Sequence, residues 1–140
     1  MNPRLDGAFF TAALFTLFLV YSADRQPFPS KQFLRHLNCI AESGLQPYCD
    51  EFLSCNNLLP QAYFDAYETC RAEISTGGDG RCSDDEQLYF SRENRSKIHY
   101  CILDNVGPVS NGEENQLHPF LTCFDQIRLD CRHILEKENN

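Results

Sequence analysis

Apolar residues recur at helical spacing in several separate stretches of the chain. The clearest is Pro119 to Leu135. Phe120, Phe124, Ile127, Cys131 and Ile134 are spaced four, three, four and three apart, which is one face of an α-helix. Pro119 suits the first helical position, where a missing N–H costs nothing. This stretch is expected to be the strut to which the rest is tied. The second stripe is Tyr63, Tyr67, Cys70 and Ile74, widened by Phe64, on a helix from Pro60 to Ile74. The two are expected to pack as equivalents at the centre.

Shorter helices fill the gaps. Ser30 can cap a helix from Lys31 to Ser43 with Phe33, Leu37 and Ile40 inward and Gly44 as its stop. Pro47 opens another over Tyr48 to Asn56, with Tyr48 and Phe52 inward. Its Cys49 and Cys55 diverge around a helix, so they should tie to different neighbours. Ser83 followed by Glu86 has the capping-box spacing and predicts a helix through Ser91. A further helix is expected over Lys97 to Asn105, with Ile98, Cys101 and Ile102 inward. Ser75 to Arg81 and Val106 to Gln116 read as loops from their glycine and polar content.

No stretch alternates with period two for long. The expected fold class is all-α: five or six short helices cross-linked by four disulfides. A faint repeat runs through the chain. Cys39-Ile40 recurs as Cys101-Ile102, and Cys70-Arg71 as Cys131-Arg132. This suggests two pseudo-repeated helical hairpins closed by Cys39–Cys70 and Cys101–Cys131.

The first residues change the picture. Ala8 to Tyr21 is a short apolar run after Arg4, followed by small residues at Ser22 and Ala23. That is the pattern of a secretory signal peptide over residues 1–22, cleaved after Ser22 or, alternatively, after Ala23. It is shorter than the roughly 20 apolar residues of a membrane span. Residues 23–140 would form a single secreted domain, with no membrane span after cleavage.

All eight cysteines lie in that domain: Cys39, Cys49, Cys55, Cys70, Cys82, Cys101, Cys123 and Cys131. An even number in a small secreted chain implies a disulfide framework. No CxxC pair occurs, so zinc is not indicated. The net charge of −8 argues against nucleic acid and anionic membranes as partners.

Catalytic patterns are missing. His36, His99, His118 and His133 include no HExxH and no pair four apart. No GxSxG elbow occurs, and the cysteines are committed to bridges. The acidic run Asp79 to Glu86 lacks the alternating carboxylates of a calcium loop. No enzyme and no cofactor are expected. Asn94-Arg95-Ser96 is an N-glycosylation sequon. Phe52, Tyr63, Tyr67, Phe120 and Phe124 are candidates to line an apolar pocket between helices. The expectation is a secreted, non-enzymatic binding protein for a small apolar ligand or an extracellular protein partner. The alternative is a toxin-like or signalling effector acting on a receptor or channel.

Overall fold

A computed structural model describes residues 31–107 and 111–138. The signal peptide expected over residues 1–22, its expected cleavage site and the expected Ser30 cap lie outside the described residues. The elements are α1 (Lys31–Ala41), α2 (Gln46–Cys55), a 3-10 turn (Asn56–Leu58), α3 (Gln61–Ile74), α4 (Arg92–Val106), α5 (Asn111–Gln116) and α6 (His118–Glu138). Among the described residues there is no strand, as the helical periodicities require.

The stripes do what their spacing implies. Phe120, Phe124, Ile127 and Cys131 of α6 are buried, as are Tyr63, Tyr67 and Cys70 of α3. Leu37 and Ile40 of α1 and Phe52 of α2 complete one continuous core. Gly44 ends the first helical stretch at φ 69, a left-handed conformation that glycine adopts without a Cβ clash.

The two longest stripes are not partners. α3 packs on α4, while α6 packs on α1 and α2, and α1 also touches α4. The expected central pair of α3 and α6 is therefore corrected to two helical layers joined through α1. The disulfides follow this packing. Cys70 of α3 meets Cys101 of α4, and Cys39 of α1 meets Cys131 of α6. The pairs expected from the repeat, Cys39–Cys70 and Cys101–Cys131, are overturned: each would join helices that do not lie face to face. Cys49–Cys82 and Cys55–Cys123 make up the four bridges. Cys49 and Cys55 do tie to different neighbours.

Residues 83–91 are not helical. Ser83 and Glu86 are bonded the other way: the Ser83 N–H donates to the Glu86 carbonyl at 3.0 Å. The chain here is held across α2, because Cys82 is bridged to Cys49 and its N–H donates to the Gln46 side chain at 2.9 Å. Gly80 permits the approach, at φ 73 with a position where a Cβ would lie 2.6 Å from the Gln87 carbonyl oxygen. The helix cap is Ser91, whose side chain accepts from the Asn94 N–H. α4 thus starts at Arg92, five residues before the expected Lys97. The expected loop from Val106 to Gln116 contains the short α5.

Candidate functional site

The interior offers the first candidate. Phe52, Tyr63, Tyr67 and Phe120 line one cavity with Leu37 and Ile98. Its volume is 40 Å³. Phe124 does not line it and stands in a ring cluster beside it. The Phe120 and Phe124 rings are nearly parallel with centroids 6.2 Å apart, and Phe33 lies 4.5 Å from Phe124. His99 is buried and stacks on Phe33 at 5.6 Å. The aromatic side chains that α1, α2, α3 and α6 turn inward therefore fill most of the space between the helices.

Two of the tyrosines that line the cavity are hydrogen-bonded to each other. Tyr67 and Tyr89 share a buried hydrogen bond at 2.9 Å. Burial pushes both hydroxyls above the ordinary tyrosine range, Tyr89 well above it. They are neutral at physiological pH and act as a hydrogen-bonded pair. Asn56 is 3% exposed beside them.

The second feature is a buried cation. The Arg95 side chain is 0% exposed. Its guanidinium donates to Asn38 Oδ1 at 2.6 Å, Glu42 Oε1 at 2.6 Å, the Leu88 carbonyl at 2.8 Å and Gln87 Oε1 at 3.1 Å. Glu42 also pairs with the exposed Arg92. The Arg92 hydrogen bond is the largest effect holding the Glu42 carboxyl below its ordinary range, with burial acting against it. Burial lowers Arg95 from its usual value, yet a guanidinium remains protonated in proteins. The arrangement locks the end of α1 and residues 87–88 onto the first turn of α4. It is a structural clamp, since each of its three nitrogens donates to a protein acceptor.

Arg95 is not among the candidates that the sequence suggests, because a lone arginine inside a sequon carries by itself no sign of burial. The signal is present all the same. Arg95, Ile98, His99 and Ile102 fall at helical spacing, and the first three are buried.

Outside the core, an open groove of 530 Å³ is lined by Glu42, Asp84, Asp85, Glu86 and Phe90. Among the described residues no group of three or more His, Cys, Asp or Glu side chains could hold a metal ion. No helix of these residues is long and apolar enough to cross a membrane. Among the described residues, Leu45, Leu58, Phe90, Tyr100 and Leu129 are the large apolar side chains left exposed. The sequon residue Asn94 is half-buried at the start of α4.

A family model described as Hi1a-like, U10-hexatoxin-Hi1a, matches residues 28–132. The chain belongs to the Hi1a-like family. The matched span holds all eight cysteines, so the whole disulfide framework of this Hi1a-like chain falls inside it. No curated protein and no solved structure matches the chain.

Proposed function

We propose that this Hi1a-like chain is a secreted, toxin-like effector that acts without catalysis, by docking its outer surface on a receptor or channel protein. The observation that carries the reading is the match over residues 28–132 to a model named for a hexatoxin. The four disulfides fit secretion, because such bonds persist in oxidising compartments. The interior favours surface action over carriage of an apolar ligand. Pockets for such ligands run to about 300–1,000 Å³, against a cavity of 40 Å³ here. The net charge of −8 would steer the protein toward a cationic face of its target.

The test uses the oxidised, disulfide-bonded protein in two measurements. Titration with N-phenyl-1-naphthylamine should give no saturable fluorescence change. Perfusion over voltage-clamped excitable cells should alter a membrane current, and reduced, alkylated protein should not. Stoichiometric probe binding with no change in any current would return the protein to the class of apolar-ligand carriers.

A further inference from the structure

A glycosylation sequon is expected on an exposed loop, where a bulky glycan meets only water. Asn94-Arg95-Ser96 is not so placed. It forms the first turn of α4, and the Ser91 hydroxyl accepts from the Asn94 backbone N–H at 3.1 Å. The Asn94 side-chain amide is also committed, since Nδ2 donates to the Tyr89 carbonyl at 2.9 Å. The middle residue, Arg95, has a side chain with 0% exposure.

The acceptor of that amide bond is itself unusual. Tyr89 and Phe90 have φ of 54° and 67°, the left-handed region that residues with side chains seldom occupy. Such a pair persists only when its surroundings hold it. The Tyr89 N–H donates to the Asp79 carbonyl, and the Tyr89 carbonyl accepts from both Ser91 N–H and Asn94 Nδ2. Asn94 thus reaches back from the helix start to fasten the turn that precedes it.

We propose that Asn94 is the clamp of the left-handed Tyr89–Phe90 turn and that its sequon is closed to glycosylation in the folded protein. Attachment of a sugar replaces one Nδ2–H by an N–C bond. It requires the amide and the Ser96 hydroxyl to be presented together on an open chain. The helical turn and the burial of Arg95 remove that presentation, and the one Nδ2–H bonded to the Tyr89 carbonyl holds the amide against the turn. Asn94 serves folding in place of modification.

Two measurements test this. The full chain is secreted from a eukaryotic host, and its intact mass is read before and after peptide-N-glycosidase treatment. The native sequence should show no change in mass. Arg95→Ala keeps Asn94 and Ser96, hence the sequon, but removes the lock, and a glycan should then appear in the secreted or retained pool. A glycan on Asn94 of the native protein would overturn the closure. The second measurement uses oxidised protein from a bacterial host, which adds no glycan. Asn94→Ala should lower the thermal midpoint by about 4 °C, while Ser96→Ala, which destroys only the sequon, should leave it unchanged. Equal midpoints for Asn94→Ala and the native protein would overturn the clamp.

Discussion

Arg95 and Glu42 lie 53 residues apart in the chain and meet at 2.6 Å inside the protein. The contact joins the end of α1 to the start of α4, and the same guanidinium fixes the Leu88 carbonyl between them. A charge with no exposure is tolerable only when its donors are satisfied. Arg95→Met should therefore destabilise the fold by about 3–5 kcal/mol, leaving the Asn38 and Leu88 acceptors without their donor. Urea denaturation of the oxidised protein measures this. A loss well below about 1 kcal/mol would mean that the pair behaves as a surface ion pair.

Acid should weaken the same junction. The Glu42 carboxyl is held below its ordinary range, chiefly by the Arg92 hydrogen bond. A depressed folded value contributes stability above the unfolded value of about 4.3 and loses it as pH falls through the folded one. Native stability should thus drop as pH falls from about 5 to about 3. Glu42→Gln should be less stable at neutral pH and show a shallower slope over that window. Parallel slopes for the two proteins in denaturant titrations would remove Glu42 from the account.

The four bridges should differ in worth. Cys39–Cys131 spans 92 residues and Cys70–Cys101 spans 31. On the chain-entropy picture the longer loop contributes about 1 kcal/mol more. Replacing both cysteines of each pair with alanine and comparing urea midpoints checks the order. Peptide mapping under non-reducing conditions checks the pairing itself, with Cys39 expected on the Cys131 peptide.

The sequence made the helices legible where apolar spacing and punctuation agreed. Phe120, Phe124, Ile127 and Cys131 wrote α6 plainly, and Pro60 with Tyr63, Tyr67 and Cys70 wrote α3. Which helix faces which was not legible, because a stripe states only that a face is buried. The cysteine pairing went wrong for that reason: Cys39 and Cys70 recur in step with Cys101 and Cys131, but α1 and α3 are not neighbours. Ser83 and Glu86 carry a cap pattern that local bonds favour. The Cys49–Cys82 bridge and the buried Leu88 and Tyr89 override it, and the cap falls to Ser91. Arg95 stayed hidden because it sits in an apolar stripe as its one cation. Phe52, Tyr63, Tyr67 and Phe120 do converge on one cavity, yet no spacing could say that their rings would nearly fill it.

The proposed docking function requires the protein to act through its surface and not through its core. The most direct measurement is alanine replacement at Leu45, Leu58, Phe90, Tyr100 and Leu129, the exposed large apolar side chains among the described residues, read as change in membrane current per dose. Interface energy concentrates in a few anchors. At least one variant should therefore lose about tenfold or more in potency while its thermal midpoint stays with the parent. Five variants with parental potency, alongside a core that saturates with N-phenyl-1-naphthylamine, would mean that the protein acts through its core.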